Sequence, residues 1–491
     1  MYFEQFFVEG LGHASYLIAS DRTKEAVVVD PRRDIQAYVE AAQRHGFEVR
    51  YVLETHNHND FVSGAHALAT CLGAEHVASA AAGLQFPYRP VRDGDELQVG
   101  ELRIRVLETP GHTPEHLSYV VIDTSRADEP FLVFSGGDLL VGAVGRPDLL
   151  GRELGERLAP RLYDSLHQKL LPLGDHVIVM PTHGGGSLCG RGIAGTRFTS
   201  IGYERRFNQA LQQPTREAFV AAVLGGNPGI PTYYARMRPT NQRGPAPFQP
   251  PEPRPLPPHE VQHLAGHGAI VLDARANVAF GGAHVPGALN VPLGAMFATW
   301  VGWLVPADVP LVLVLDRDED WAEATTALGR IGYERFAGYA QFGMAAWVEA
   351  GLPVERVEQL SVHELRRRLD ADPWAQVLDV RMDSEWAEGH VARAVHAPLG
   401  DLPKLLDTLP LDRARPVAVM CGSGYRSSIG TSLLKQRGFT TVWNTLGGMT
   451  AWKEAGYPTE AVGGPARHEA EELRVRDEGQ HLVRRAAALA K

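Results

Sequence analysis

The sequence predicts an α/β protein built from several domains, and three observations lead to this prediction. The first half alternates strand-like apolar runs, such as residues 26–29, with helical stretches, such as residues 35–45, which is the pattern of α/β folds. A proline-dense stretch at residues 239–258 separates the two halves. The second half repeats one α/β pattern at an interval of about 105 residues, a size typical of one domain. A chain of 491 residues is long enough for several such domains.

The first half carries a dense group of metal-binding residue types. The segment THNHND at residues 55–60 follows the apolar run at residues 51–53. On a regular strand, side chains repeat every second residue, so His56, His58 and Asp60 would face the same side. Two imidazoles and one carboxylate on one side form a set of metal ligands.

Three further strand-like runs end in a similar way, each with a glycine or proline turn and then one candidate ligand. The runs cover residues 103–107, 131–134 and 177–180, and the ligands that follow them are His112, Asp138 and His183. Side chains on loops at one end of a sheet converge on one site. The sequence therefore predicts a metal site in the first half.

These motifs resemble the metallo-β-lactamase superfamily. The order His-x-His-x-Asp, then Gly-His, Gly-Asp and Thr-His, is similar to the pattern of that family over roughly residues 1–235. The resemblance implies a four-layered αββα sandwich with its metals at one edge of the two sheets. One position departs from the pattern, because the hydrolases usually have a histidine where this chain has Phe61. That difference weakens the second metal position.

The segment GRPD at residues 145–148 is similar to the Gly-Arg-Thr-Asp segment of the persulfide dioxygenase branch of this superfamily. The resemblance implies one Fe(II) held by His56, His112 and Asp138, with positions left free for substrate and O₂. The same ligand types also suit zinc. The outer sulfur of a thiol persulfide would be oxidised and leave as sulfite, which regenerates the carrier thiol.

Other residues of the first half are candidates for supporting the metal or binding the substrate. His58, Asp60 and His183 would orient water and ligands, or hold a second metal. The glycine-rich loop at residues 184–192 follows a candidate ligand, which favours a place at the substrate entrance. The candidate substrate-binding residues are Arg146, Gly185, Gly186, Cys189 and Arg191. Arg191 and its neighbours Arg197, Arg205 and Arg206 would bind the carboxylates or phosphates of a glutathione-type or coenzyme A-type thiol, although ordinary surface charge explains them equally well. The cysteine is either a sulfur relay or a small buried apolar side chain.

The proline-dense stretch is predicted to be a stiff, extended linker that forms neither a helix nor a central strand. The resulting domains are a metal-binding domain, the linker, two copies of the repeated module and a charged tail without a motif. Their predicted limits are residues 1–238, 239–258, 259–355, 356–462 and 463–491.

Three motif pairs define the repeat. The pairs are VLDAR and VLDVR (residues 271–275 and 377–381), AHVPGA and GHVARA (283–288 and 389–394), and GMAAW and GMTAW (343–347 and 448–452). The nearly equal spacing between the two members of each pair, 106, 106 and 105 residues, indicates a duplicated α/β domain.

The second copy carries a candidate nucleophile, Cys421. It lies between a buried strand at residues 416–420 and a helical stretch at residues 427–436. A cysteine just before a helix has its thiolate stabilised by the helix dipole and by loop N–H groups, and Arg426 adds a cation. The loop residues that would surround a persulfide on this cysteine are Gly422, Ser423, Gly424, Tyr425 and Ser427.

The order strand, Cys-x-x-Gly-x-Arg, helix resembles the active site of the rhodanese family, which implies doubly wound α/β domains and transfer of sulfane sulfur. The related phosphatase loop is one residue longer, so the shorter loop favours sulfur over phosphate. In the first copy, Leu315 or Asp316 takes the place of the cysteine. Since neither can carry sulfur, the first copy is predicted to be inactive, as a spacer or a docking surface.

Composition excludes several function classes. The net charge of −10, without a dense basic block, argues against a nucleic-acid partner. The three cysteines lie far apart, which indicates a reducing compartment. No apolar run approaches the length of about 20 residues that a membrane span needs, and the N-terminus lacks the features of a signal peptide. We therefore expect a cytoplasmic protein with no membrane partner, and leave a homo-oligomer open.

Both halves act on the same sulfur species in this interpretation. The hypothesis is an iron-dependent persulfide dioxygenase joined to a rhodanese, with O₂, a thiol persulfide, sulfite and thiosulfate as reactants or products. The motif does not fix the direction of the sulfur transfer. Two alternatives are a thioester hydrolase of the glyoxalase II type, which needs two metals, and a non-catalytic sulfur-carrier or sensor scaffold.

Overall fold

The computed structural model describes residues 1–461, so the predicted tail lies outside the described residues. The chain forms two compact units. Unit 1 contains residues 1–270 and 293–346, and unit 2 contains residues 271–292 and the residues from 347 onward. None of the helices in the described part is long and apolar enough to cross a membrane.

Unit 1 begins with two six-stranded sheets. The first has the order β1-β2-β3-β4-β5-β6 and is made of β1 (Tyr2–Val8), β2 (His13–Ala19), β3 (Glu25–Val29), β4 (Glu48–Leu53), β5 (Glu75–Ser79) and β6 (Arg89–Val91). The second has the order β12-β11-β10-β9-β8-β7 and is made of β7 (Glu96–Val99), β8 (Leu102–Glu108), β9 (Leu117–Asp123), β10 (Leu132–Gly136), β11 (Ile178–Pro181) and β12 (Thr199–Ser200).

Helices cover the outer face of each sheet. They are α1 (Gln36–His45) and α2 (Ala65–Leu72) on the first sheet, and α3 (Arg152–Asp164), α4 (Ile201–Phe207) and α5 (Arg216–Leu224) on the second. Successive side chains of β2 point to opposite faces of its sheet. Tyr16 and Ile18 enter the core between the two sheets, whereas Leu17 and Ala19 pack under the helices. These layers form an αββα sandwich.

A sixth helix, α6 (Tyr234–Arg243), extends into the predicted linker. Residues 239–243, which we expected to be extended, form its second half, so that expectation was wrong for them. Pro239 removes one helical N–H. The helix persists because Tyr234, Met237 and Asn241 are all buried on one face. Residues 244–254 have no regular structure.

The first copy of the module contains β13 (Pro255–Leu256), α7 (Pro258–Gly266), β14 (Ile270–Asp273), α8 (Asn277–Gly282), β15 (Leu289–Asn290), α9 (Phe297–Leu304), β16 (Leu311–Val314), α10 (Asp320–Arg330), β17 (Phe336–Ala340) and α11 (Gly343–Glu349). Within unit 1, β17 pairs in parallel with β13 and β16. Within unit 2, β14 pairs in parallel with β15.

The second copy contains β18 (Glu358–Leu360), α12 (Val362–Ala371), β19 (Gln376–Asp379), α13 (Asp383–Ala387), β20 (Val395–His396), α14 (Leu402–Leu405), β21 (Val417–Met420), α15 (Tyr425–Gln436), β22 (Val442–Thr445) and α16 (Gly448–Glu454). Its sheet is parallel, with the order β18-β22-β21-β19-β20. The central strand β21 is fully buried and ends directly before Cys421. In such sheets, ligands bind at the carboxyl ends of the strands.

Candidate active sites

The candidate metal ligands of the sandwich lie on loops that follow β4, β8, β10 and β11. The segment at residues 55–60 is a loop rather than an extension of β4. His56, His58, Asp60, His112, Asp138 and His183 are all at most 3% exposed. These six polar side chains have lost their hydration, and hydrogen bonds or a bound ion must offset the free-energy cost of their burial.

Two atoms of the predicted ligand set have no hydrogen-bond partner. The Nδ1 atom of His112 lies 2.9 Å from the carbonyl oxygen of Arg146. The Nε2 atom of His112 is buried and has no hydrogen-bond partner. The Oδ1 atom of Asp138 accepts the main-chain N–H of His112 at 3.0 Å, and its Oδ2 atom has no hydrogen bond and lies 3.5 Å from Nδ1 of His116. A buried nitrogen and a buried carboxylate oxygen without partners are what a cation site requires.

The remaining four residues form a second group of contacts. The Nε2 atoms of His56 and His183 are 3.4 Å apart. The Nδ1 atom of His183 lies 3.4 Å from a carboxylate oxygen of Asp60, and Nε2 of His58 lies 3.3 Å from Asp30. His183, predicted to act outside the immediate ligand set, thus lies beside His56.

Two sets of possible ligand atoms lie within 4.8 Å of one another: His56, His58 and His183, and then His112, His183 and Cys189. Asp138 belongs to neither set, although its main-chain contact ties it to His112. The assignment of individual ligands therefore stays a prediction.

Burial and mutual repulsion favour the neutral form of His56 and His112, whereas Cys189 and Asp60 outweigh burial and raise the pKa of His183 well above its usual range. Burial, with the neighbouring His183, lowers the pKa of His112 to about 3, and burial with the neighbouring histidines lowers the pKa of His56 well below its usual range. Burial raises the pKa of Asp138 well above its usual range. Neutral imidazoles are the form that binds metals, and a bound cation would offset the cost of the Asp138 carboxylate. The donor set therefore fits a divalent metal ion.

Phe61 occupies space beside these histidines. Its ring lies 4.3 Å from that of His58 and 3.9 Å from that of His13, measured between ring centroids, and it is 1% exposed. An apolar ring at this position offers no donor atom to a second metal.

Sequence reasoning missed the contribution of Asp30. Its carboxylate accepts the main-chain N–H and the hydroxyl of Thr55, both at 2.7 Å, and also the hydroxyl of Thr182. Burial alone would raise the pKa of Asp30, but the neighbouring His58 and these hydrogen bonds lower it to about 2. A signal was present, because Asp30 directly follows β3, as the candidate ligands follow their strands.

Sequence reasoning also missed helix α6, which lies over the same loops. The Nδ2 atom of Asn241 donates to the carbonyl oxygens of His58 and Phe61, both at 3.0 Å, and its Oδ1 atom accepts the N–H of Ser63 at 2.9 Å. The hydroxyl of Tyr234 lies 3.9 Å from Sγ of Cys189.

An ion pair fixes the same helix further along. Arg238 donates to both carboxylate oxygens of Glu115, at 2.8 and 2.9 Å, and Glu115 accepts the N–H of Asn57 at 3.0 Å. No local motif marks the contacts that Arg238 and Asn241 make, because they join residues more than 100 positions apart in the sequence.

The predicted substrate-binding residues do not share one environment. Arg146 is 2% exposed and donates to both oxygens of Asp148 at 3.0 and 2.8 Å, whereas Arg191 is exposed. Both arginines line a cavity of about 370 Å³ that also includes Asn208 and Asn227.

The glycine-rich loop places Cys189 and its glycines differently. Cys189 is fully buried, within reach of His112 and His183. Gly185 is half-buried and Gly186 is exposed.

The second candidate site is the loop at residues 421–427. Cys421 is 1% exposed, and its Sγ atom accepts the main-chain N–H of Gly424 at 3.1 Å and lies 3.4 Å from Oγ of Ser427. The carbonyl oxygen of Ser423 accepts the N–H of Gly447 at 3.1 Å, which fixes the turn. Helix α15 begins at Tyr425, so the sulfur lies at a helix N-terminus, as predicted.

Arg426 is held by an acidic partner that sequence reasoning missed. Its guanidinium donates to both oxygens of Glu385 at 2.6 Å. Burial opposes the ionisation of Glu385, but Arg426 outweighs it and lowers the pKa of that carboxyl. The Cβ position of Gly422 faces the same ion pair, at 3.3 Å from Arg426. The pair therefore lies beside the loop that carries the sulfur.

In the first copy, Leu315 directly follows β16 and is buried. Leu315 is the first residue after β16, just as Cys421 is the first residue after β21. Asp316 comes one residue later and is exposed.

Comparison with known families confirms the predicted fold class. The model of the metallo-beta-lactamase superfamily matches residues 8–192, and the model of the rhodanese-like domain matches residues 257–350 and 361–455. A metallo-beta-lactamase crystal structure from Staphylococcus aureus is 31% identical and superposes with a TM-score of 0.63, covering 69% of this chain and 98% of that one.

Two curated relatives match separate parts of the chain. The mitochondrial persulfide dioxygenase ETHE1 of Bos taurus is 31% identical over 175 residues, which is 34% of this chain and 63% of the relative. The chain thus matches less than two thirds of the length of that relative. The putative sulfurtransferase YtwF of Bacillus subtilis is 38% identical over 97 residues, which is 20% of this chain and 91% of the relative.

Proposed function

The chain belongs to the metallo-beta-lactamase superfamily through residues 8–192 and carries two rhodanese-like domains at residues 257–350 and 361–455, and on that premise we propose that it is a persulfide dioxygenase with sulfurtransferase activity. In the first reaction, a thiol persulfide, dioxygen and water give the thiol, sulfite and two protons. In the second, the Cys421 thiolate takes the outer sulfur of another thiol persulfide, which leaves as the thiol, and then passes that sulfur to sulfite, which forms thiosulfate and frees the cysteine thiolate. The likeness to a persulfide dioxygenase supports the first reaction.

One observation carries the proposal for the sandwich. His112 and Asp138 are completely buried and each offers an atom without a hydrogen-bond partner, while Phe61 fills the space where a further imidazole would serve a second metal. This supports one iron, held by His56, His112 and Asp138, rather than a binuclear hydrolytic site. Bound iron would supply the activation of dioxygen and a coordination position for the persulfide.

The chain's own residues orient the donors and exclude water. The carbonyl oxygen of Arg146 fixes the His112 ring, so that Nε2 points to the site. Asp60, whose pKa is lowered to about 2 because His183 outweighs the effect of burial, remains ionised beside that histidine. Helix α6 covers the loop at residues 58–63 through Asn241, which keeps bulk water from the site.

The carrier thiol is proposed to use the cavity lined by Arg146 and Arg191. Its volume of about 370 Å³ suits part of a glutathione or coenzyme A molecule. Arg191 is exposed and would bind a carboxylate or phosphate directly. Arg146 already pairs with Asp148, so we assign it to holding the cavity wall.

The two reactions are separated by two variants of the full chain. With Fe(II) and glutathione persulfide, Cys421→Ser should still produce sulfite and no thiosulfate, whereas His112→Ala should produce neither. Ion chromatography of the products measures both anions. Thiosulfate formation that survives in Cys421→Ser would remove the assigned role of Cys421.

A thioester hydrolase is the second candidate, and one observation favours it. The ligand atoms of His56, His58 and His183 lie within 4.8 Å of one another, as a further metal position requires. Metal analysis distinguishes the candidates, because the hydrolase needs two ions per chain together with cleavage of S-lactoylglutathione. One ion per chain without thioester cleavage excludes it.

A further inference from the structure

Residues 277–292 of the first copy contact the loop and helix that carry Cys421, and both segments belong to unit 2. The Nδ2 atom of Asn277 donates to the carbonyl oxygen of Gly424 at 3.2 Å. The hydroxyl of Tyr425 donates to the carbonyl oxygen of Pro292 at 3.0 Å. The copy that lacks a cysteine thus contacts the two residues at the start of the catalytic helix.

A second pair of contacts fixes the body of helix α15. The hydroxyl of Ser428 donates to Oδ1 of Asn290 at 2.6 Å, and the N–H of Asn290 donates to Oγ of Ser432 at 3.2 Å. Ser428 and Ser432 lie four residues apart, on one buried face of the helix. These contacts set the position of the helix relative to Asn290.

Gly424 links these contacts to the sulfur atom. Its N–H donates to Sγ of Cys421 at 3.1 Å, and its carbonyl oxygen accepts from Asn277 and, at 3.4 Å, from Asn444. Its φ of +106° lies in the region that favours glycine, and a Cβ atom there would approach the carbonyl oxygen of Thr445 to 3.3 Å. The two peptide units that meet at this glycine are held separately, the first by the Ser423–Gly447 hydrogen bond and the second by Asn277 and Asn444.

We infer that Asn277 of the cysteine-less copy is a positioning residue for sulfur transfer, because it holds the carbonyl of Gly424 and, together with the Ser423–Gly447 hydrogen bond on the preceding peptide unit, fixes the conformation of the residue whose N–H donates to Cys421. Oδ1 of Asn277 accepts the N–H of Val278 at 3.0 Å, which orients the amide with its NH₂ group toward Gly424. This gives the inactive copy a role in the reaction of the active one. The inference rests on the proposed role of Cys421 as the sulfur carrier.

The test measures the pH dependence of Cys421 alkylation in the full chain, followed by mass spectrometry of the Cys421 peptide. Asn277→Ala and the larger Asn277→Leu both remove the donor without adding a charge, and Arg426 and Glu385, the charged pair beside the loop, are unchanged. We expect the midpoint of the alkylation profile to rise by about half a pH unit or more, since the residue whose N–H donates to the sulfur is held less firmly. The rate of sulfur transfer to sulfite should fall about threefold to tenfold.

The control is Gln436→Ala, which removes a contact of the same kind at the other end of α15. Nε2 of Gln436 donates to the carbonyl oxygen of Gly287 at 2.9 Å, far along the helix from the sulfur. Its alkylation profile should match that of the wild-type chain. An unchanged profile in both Asn277 variants, or an equal shift in Gln436→Ala, would overturn the inference. Alkylation needs no turnover, so a wild-type chain without sulfurtransferase activity would instead contradict the proposed function.

Discussion

At the scale of single residues, burial decides the chemistry of the sandwich site. A carboxylate that is completely buried and has an oxygen without a hydrogen-bond donor, such as that of Asp138, is stabilised by a neighbouring cation or by protonation. Its Oδ2 atom has no hydrogen bond, and its pKa is raised by burial. The apoprotein should therefore hold a proton there at neutral pH.

This gives a prediction about metal binding. Binding of Fe(II) or Zn²⁺ to the apoprotein should release about one proton from Asp138, because the ligand must be ionised. Because the pKa of Asp138 is raised, its proton is present in the apoprotein and leaves when the metal binds. The affinity for the metal should therefore rise with pH. Calorimetry in two buffers of different ionisation enthalpy measures the number of protons released.

Asp138→Asn provides the control, since an amide has no proton to release. The proton count should fall by about one in this variant. An equal proton count in both proteins would assign the release to another group.

Local residue patterns made much of both sites predictable. Cys421, Arg426 and the candidate metal ligands each follow a strand, and strand ends are visible as apolar runs before a turn. Glu385 and Asn277 were not predictable in this way. Their side chains act on residues 41 and 147 positions away, and only the folded chain brings them there.

At the scale of elements, helix α6 shows where propensity fails. A proline at position 239 predicts a helix boundary, yet the helix continues to Arg243. Burial of Tyr234, Met237 and Asn241 supplies more stability than one lost main-chain hydrogen bond removes. Packing of this kind depends on the partner loops and leaves no local signal.

Asn241→Ala should loosen the metal-binding loop. It would leave two carbonyl oxygens and the N–H of Ser63 without their buried partner, at a cost of about 2 kcal/mol or more. The Ser63 amide should exchange with deuterium about tenfold faster or more. Hydrogen–deuterium exchange with peptide mass spectrometry measures this rate.

Gln242→Ala is the matched variant on the same helix. It removes a single contact, from Nε2 of Gln242 to the carbonyl oxygen of Ala82 at 2.9 Å. Exchange at Ser63 should be unaffected by it. Equal protection of Ser63 in all three proteins would mean that α6 does not hold the loop.

At the scale of the whole molecule, the copy without a cysteine is divided between the two compact units, and it contributes contacts in each. In unit 1, the N–H of Val62 in the metal-site loop donates to the carbonyl oxygen of Arg330 at 2.8 Å. The Arg330 side chain donates to both oxygens of Asp34 at 2.7 and 2.8 Å. Arg330, the last residue of helix α10, therefore attaches this helix to the sandwich next to the loop that carries His56, His58 and Asp60.

Arg330→Ala should lower the melting temperature of the transition that includes the sandwich. The variant leaves the largely buried Asp34 carboxylate without this partner, which costs about 1–3 kcal/mol. Differential scanning calorimetry measures the transition. Arg335→Ala removes an exposed contact to the carbonyl oxygen of Asp308 and should leave the transition within about 1 °C. A larger fall in melting temperature for Arg335→Ala than for Arg330→Ala would contradict the role of α10 in stabilising the sandwich.

The domain architecture was accessible from the sequence because each domain carries its own motifs, and the two family models confirm that architecture. The division into compact units was not accessible, since residues 293–346 of the first copy join the sandwich. That grouping depends on long-range packing such as the Arg330–Asp34 pair. The predicted domain limits stay predictions, because the compact units do not follow them and divide the first copy.

Oxygen consumption by the Fe(II)-loaded chain with glutathione persulfide is the first measurement to make for the proposed dioxygenase. We expect uptake of about one O₂ per persulfide, abolished in His112→Ala and retained in Cys421→Ser. Absence of uptake in an iron-loaded wild-type chain, together with two bound zinc ions and cleavage of a glutathione thioester in the zinc form, would overturn the dioxygenase assignment and identify a hydrolase.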